Sequence, residues 1–163
     1  MASHHTKDKG DLGVVMVICD MVRNDIDVYL PLSEHQPSDL IAVNCKGRMA
    51  RVQVKYRSLS RTGVIEVYLR SAYSDSHGYH EKPVDMSQFD CYAVYCPDNG
   101  KVYYIRNDEI STDAALTLRV MPARNRQKKR IVFASQFEGV ERIFEVCAPV
   151  AQLDRAVGFY PTG

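Results

Sequence analysis

The sequence predicts a mixed α/β (α+β) chain built on one sheet, and three features carry that expectation. One stretch of helical periodicity opens the chain, from Gly10 to Asp25. Short stretches of strand-like alternation follow it, two pairs of them joined by glycine-containing turns. The composition, 45% hydrophobic and 25% charged over 163 residues, is that of an average globular protein with material for one sizeable core.

The elements follow in order. In the opening helix Leu12, Val15, Met16, Cys19 and Val22 recur at three- and four-residue spacing, which puts them on one face. Asp8 or Asp11 caps this helix or sits in its first turn, where free backbone N–H groups favour negative charge. Val28 to Leu30 reads as a short strand, stopped by Pro31 and a polar loop from Ser33 to Ser38. Asp39 to Asn44 and Met49 to Tyr56 read as two strands of a hairpin turning through Cys45, Lys46, Gly47 and Arg48. Val64 to Arg70 is a further strand with Ile65, Val67 and Leu69 on one face. Ser71 to Ser87 is polar and shows no clear period.

Asp90 to Cys96 and Val102 to Arg106 pair across Pro97, Asp98, Asn99 and Gly100, because Asn-Gly accepts the positive φ angles of a tight turn. Leu116 to Val120 is a short final strand. Ile131 to Glu145 has mixed helical spacing through Phe133, Phe137, Val140 and Phe144. No internal repeat is present. Residues 1–147 are expected to form one domain and 148–163 a weakly packed tail.

Charge and cysteines narrow the function classes. The net charge is +1, so any nucleic-acid contact has to come from local clustering rather than bulk charge. Five scattered cysteines fit reduced thiols better than a disulfide framework. Cys91 and Cys96 stand wider apart than the two-residue gap of zinc knuckles. No apolar run approaches the ~18–20 residues of a membrane span, and Met1 to Lys9 lacks the apolar stretch of a signal peptide. The expectation is a soluble cytoplasmic protein, associated with the nucleoid if it acts on DNA.

One segment carries candidate chemistry. Gln53 and Lys55 are separated by one strand residue, so both side chains leave the same face, while Val52 and Val54 point the other way. If the Gly47 turn pairs this strand with its predecessor, Asp39 lies beside them. A carboxylate, an amide oxygen and an ammonium would then converge. That set suits phosphodiester hydrolysis: Asp39 to hold a Mg²⁺, Gln53 to add a neutral oxygen, Lys55 to orient water and offset phosphate charge. Spacing alone leaves open an ordinary half-exposed strand.

Lys9-Gly10-Asp11-Leu12-Gly13, Asp39-Leu40-Ile41 and Arg51-Val52-Gln53-Val54-Lys55 resemble the PD-(D/E)XK nuclease superfamily. The likeness is to its branch of group I intron homing endonucleases from cyanobacterial transfer-RNA genes, which carries Gln-x-Lys in place of Asp/Glu-x-Lys. It continues through Tyr92 to Tyr95, Lys101 to Ile105 and Asn125 to Lys129. The resemblance implies a mixed sheet with flanking helices and Mg²⁺-dependent cleavage of double-stranded DNA, with Mn²⁺ as a substitute ion. Asp39, Gln53 and Lys55 are the matching active-site positions. Relatives often place a glutamate in the first helix where this chain has Val14; Asp11, about one turn earlier, is the candidate to replace it as a metal ligand. Two active sites are needed to cut both strands, which implies a homodimer or homotetramer.

Arg119, Arg124, Arg126, Lys128, Lys129 and Arg130 form the densest basic cluster, suited to phosphate contacts or to a solvated loop. Arg57, Arg61 and Arg70 flank the strands after the candidate site, and Tyr79, His80 and Lys82 lie in the polar stretch. These are the candidate DNA contacts. His77 and His80 lack further ligands at a recognisable metal spacing. Val150 to Gly163 resembles a translated transfer-RNA gene. The rival readings are a junction resolvase or repair nuclease of the same superfamily, and a DNA-binding module without catalysis.

Overall fold

The computed structural model describes residues 5–33, 35–76, 78–112, 114–121 and 131–145. A helix, α1 (His5–Arg23), opens it. β1 (Asp27–Tyr29), β2 (Leu40–Val43) and β3 (Met49–Tyr56) follow. Then come β4 (Val64–Tyr68), β5 (Arg70–Asp75), β6 (Gly78–Pro83), β7 (Cys91–Cys96), β8 (Lys101–Arg106) and β9 (Ala115–Arg119). The central sheet has the order β1-β2-β3-β7-β8. Its neighbours run antiparallel except β3 and β7, which are parallel. A parallel pair requires a long crossover, and here the chain from Arg57 to Asp90 supplies it.

Both predicted hairpins form. Between β2 and β3 the Asn44 Oδ1 accepts the N–H groups of Lys46 and Arg48, and Gly47 takes the left-handed conformation (φ 72°) that closes the turn. Between β7 and β8 only Gly100 has positive φ. Asn99 contributes through its side chain instead, accepting the Lys101 N–H at 3.1 Å.

The sheet is buried on both faces, which explains why all six residues of β7 are buried. Against one face lies α1, in a core containing Val17, Met21, Leu40, Val52, Val54 and Tyr104. Against the other lies the β4–β9 ribbon, whose Ile65, Val67 and Leu118 join Tyr92, Val94 and Tyr103. The single expected sheet is therefore replaced by the central sheet and two separate ribbons, β4–β9 and β5–β6.

The helix corrects the stripe that its most regular spacing singles out. Gly13, Val17 and Met21 face the sheet, whereas Leu12, Val15, Cys19 and Val22 are exposed. The stretch from Leu12 to Cys19 is apolar on all sides, so periodicity alone does not choose between stripes. The choice falls to Gly13, where a Cβ would stand 3.4 Å from the Tyr56 Cβ and 3.6 Å from the Val54 Cγ1. Without that atom, α1 lies directly on β3 and fixes its position from behind. The helix ends as Asp25 turns left-handed (φ 57°). There the Ile26 N–H bonds the Met21 carbonyl and the Asp25 N–H that of Val22, a Schellman stop that buries Ile26 with Met21.

Three further expectations change. The strand read as Val64 to Arg70 divides at Leu69, and the polar stretch after it is an antiparallel ribbon, β5–β6, turning near Gly78 (φ 121°). It offers no alternating apolar row for the sequence to reveal. Ile131 to Glu145 forms two 3₁₀ turns, Ala134–Phe137 and Val140–Phe144, separated by left-handed Gly139 (φ 93°). The first turn packs its apolar residues into the ribbon-side core and the second into the helix-side core, so the segment crosses the β8 edge of the sheet. The tail expected over 148–163, and its packing, lie outside the described residues.

Candidate active site

β2 and β3 bring the predicted trio together. Leu40 pairs with Val52, so Asp39, one residue earlier, extends the ladder opposite Gln53. Two bonds lock it there: the Asp39 N–H donates to the Val52 carbonyl at 2.9 Å, and the Val54 N–H donates to Asp39 Oδ2 at 2.6 Å. The carboxylate is thus held by the backbone of the strand that carries Gln53 and Lys55. The second Asp39 oxygen has no protein donor among the described residues.

Gln53 and Lys55 leave the ribbon side of the sheet, half-buried. Their surroundings are drier than a half-exposed strand would give, because that face carries a second core. The Gln53 Oε1 is enclosed with no hydrogen-bond partner. An acceptor left in that state costs roughly 1–3 kcal/mol. The Lys55 ammonium rests 5.8 Å from the ring centroid of Tyr92, the residue registered beside Gln53 on β7.

The electrostatics follow from this burial. Desolvation raises the Asp39 carboxyl above the ordinary carboxylate value, against the opposing pull of the Val54 N–H and the Lys55 charge. Desolvation likewise lowers the Lys55 ammonium below the ordinary lysine value; Asp39 opposes the shift and the nearby Arg57 charge adds to it. Each group is held in a setting that disfavours its charged form, a state that a bound cation at the carboxylate and a bound anion at the ammonium would both relieve.

Asp11 is exposed on α1. It lines a groove of about 330 Å³ together with Val14, Leu30, Gln36, Ser38 and Asp39. The two aspartates therefore open onto one space, with Val14 between the helix and the sheet. Among the described residues no three His, Cys, Asp or Glu side chains cluster as a ready-made metal cage. The oxygen donors available are the Asp39 carboxylate with the Gln53 carbonyl oxygen on the neighbouring strand, and Asp11, which shares a groove with Asp39. These hard oxygen donors fit a hydrated Mg²⁺ or Mn²⁺, and the unpartnered Gln53 oxygen is the observation that favours this fit.

The predicted DNA contacts scatter more widely. Arg57 continues the Gln53–Lys55 row beyond β3. Arg61 is exposed in the following loop. Arg70 opens β5 and lies 3.7 Å from Glu81 of β6, the strand that also holds Tyr79, His80 and Lys82. His77 and the basic residues Arg124, Arg126, Lys128, Lys129 and Arg130 lie outside the described residues; Arg119 ends β9. The sequence reading missed Tyr92, beside Lys55, and Tyr68, whose ring lies against the Arg57 guanidinium, as neighbours of the site. Tyr92 pairs with Gln53 only once the parallel β3–β7 register is known, and nothing local in the sequence announces that pairing.

A sequence profile of PD-(D/E)XK endonucleases matches residues 4–140. The chain belongs to this family. It is a DNA endonuclease by class, and the family generally works with divalent metals. Its fold is similar to the solved structure of a bacterial homing endonuclease, I-Ssp6803I, with a TM-score of 0.71 at 23% identity. That likeness covers 85% of this chain and 92% of the other. No curated protein matches the chain significantly. Among the described residues no helix is long and apolar enough to cross a membrane.

Proposed function

We propose that this PD-(D/E)XK endonuclease is a site-specific homing endonuclease that hydrolyses double-stranded DNA with Mg²⁺, Asp39, Gln53 and Lys55 forming its active site. The observation that carries this reading is the enclosed, unpartnered Gln53 oxygen beside a backbone-locked carboxylate and a half-buried ammonium. The homing role draws its support from the fold shared with a bacterial homing endonuclease and from the Gln-x-Lys motif.

Asp39 and the Gln53 carbonyl would hold the ion, with Asp11 joining from the groove that it shares with Asp39. When bound, it supplies Lewis-acid stabilisation of the phosphate and lowers the pKa of a coordinated water. Lys55 orients the attacking water by hydrogen bonding and offsets the negative charge that grows on the phosphate oxygens. In the net reaction the water oxygen bonds to phosphorus, one P–O ester bond breaks, and a proton from the water ends on the departing alkoxide. Tyr92 holds the Lys55 ammonium over its ring, and the closed ribbon-side core restricts water on that side. Cutting both strands takes two such sites, so the working form is a homodimer or homotetramer.

The test is cleavage of a randomised duplex library in Mg²⁺, with four-way junctions in parallel and EDTA as control. Cleavage at one long duplex sequence supports the homing reading. Preference for the junction points to a resolvase of the same family. Binding without cleavage in either Mg²⁺ or Mn²⁺ removes the catalytic reading altogether.

A further inference from the structure

Arg57 differs from three other arginines of the fold in having no carboxylate among the described residues to answer its charge. Arg51, Arg106 and Arg142 each reach a carboxylate: Asp90, Asp108 and Glu109 respectively. Arg57 reaches none among the described residues. Its Nη1 donates only to the carbonyl of its neighbour Tyr56, and its Nε is enclosed with no acceptor. An unanswered N–H on a permanently charged guanidinium is a costly arrangement to retain in a fold.

Its placement is also defined. The Arg57 N–H bonds the Tyr95 carbonyl, so the β3–β7 ladder continues past the end of β3 and keeps Arg57 on the face of Gln53 and Lys55. The guanidinium stacks 5.8 Å from the ring centroid of Tyr68, and Tyr68 is anchored in turn by its hydroxyl, which donates to Glu66 at 2.9 Å. Arg57 and Lys55 are close enough for the guanidinium charge to disfavour the ammonium. Two cations are held together with one carboxylate, Asp39, beside the nearer.

We infer that the Arg57 guanidinium is a phosphate-docking group of the active site, receiving the DNA backbone phosphate next to the one that Lys55 meets. A planar fork braced on an aromatic face is the arrangement proteins use to grip phosphate oxygens. Two residues along a strand advance roughly 6.6–6.8 Å, a spacing comparable with that of successive phosphates on one DNA strand. A backbone phosphate received by this guanidinium also supplies the negative charge that the two neighbouring cations lack. This inference rests on the nucleic-acid reading of the site, and it assigns Arg57 a contact at the chemistry rather than on the outer surface.

The experiment measures binding of a fluorescein-labelled duplex of arbitrary sequence to the full chain, in EDTA so that the duplex stays intact, across a range of NaCl concentrations. Losing one phosphate contact reduces the slope of log affinity against log salt by about 0.9. Arg57→Gln is expected to show that reduction with affinity down about tenfold at low salt. Arg57→Lys is expected to keep the slope while binding more weakly, because it retains charge and loses the fork. Arg51→Gln, whose parent side chain is occupied by Asp90, is expected to keep the wild-type slope. Thermal melts confirm that all variants fold.

An Arg57→Gln slope equal to wild type, an equal change in Arg51→Gln, or a wild-type chain that binds no duplex each overturns the inference. Cleavage of supercoiled plasmid in Mn²⁺ separates it from the catalytic reading. A chain that shows the Arg57 slope change yet never cuts leaves this inference standing and removes the endonuclease mechanism. A chain that cuts while Arg57→Gln binds normally removes the inference alone.

Discussion

The two ends of β3 carry basic side chains on the same face of the sheet and treat them in opposite ways. At one end Arg51 is half-exposed and fully answered: it bonds Asp90 through both Nε and Nη2, and its backbone N–H donates to the same carboxylate at 2.7 Å. At the other end Lys55 and Arg57 are more buried, and neither reaches an ion-pair partner within 4.0 Å among the described residues. One strand thus holds a structural cation and two cations whose electrostatic needs the fold leaves unmet. Burial without a partner destabilises a protein, so where it persists the missing partner is sought outside the chain.

Lys55→Ala is the substitution that breaks this contrast hardest. It is expected to reduce plasmid cleavage by about a thousandfold or more, as the loss of a principal charge-stabilising group does, with duplex binding reduced little. Lys55→Met, which removes the charge but keeps the apolar stem on Tyr92, is expected to lose activity equally while its melting temperature holds or rises. A melting temperature that falls by many degrees would show the ammonium to be structural after all.

Gln53→Leu is expected to lower cleavage about a hundredfold and to raise folding stability by about 1 kcal/mol, because it removes the enclosed acceptor at little change in volume. Chemical denaturation in EDTA measures the second effect without interference from metal. Loss of stability instead would mean that the Gln53 oxygen has a partner in solution.

The smallest effect belongs to the answered end. Hydrogen bonds from Arg51 hold the Asp90 carboxyl below its ordinary value of 3.8. A carboxyl depressed on folding contributes stability that is present above its unfolded pKa and lost as pH falls through its folded one. Asp90→Asn is therefore expected to lower the melting temperature slightly at neutral pH and to flatten its decline below about pH 4, with cleavage unchanged. Exposure keeps this contribution small.

The trio was legible in the sequence because it depends on short-range rules. Alternation along β3 puts Gln53 and Lys55 on one face, and the Gly47 turn returns the chain so that Asp39 meets them. The β7–β8 hairpin is legible for the same reason. What depends on distant parts of the chain is not. The parallel β3–β7 register, which brings Tyr92 under Lys55, spans a crossover from Arg57 to Asp90 that carries no local signal. The inward face of α1 was decided by the close approach of Gly13 to Tyr56, an absence of atoms that a search for apolar spacing overlooks. The burial of the Lys55 face comes from β4 and β9, which are far apart in sequence and meet only across the folded core.

The most direct test sets the two ends of β3 against each other in one assay. Supercoiled plasmid is incubated with wild type, Lys55→Ala and Arg51→Ala, each confirmed folded, in Mg²⁺ and then in Mn²⁺. The account predicts nicked and linear products from wild type and Arg51→Ala, and intact plasmid from Lys55→Ala and from every sample in EDTA. Full cleavage by Lys55→Ala, or loss of cleavage confined to Arg51→Ala, would contradict it.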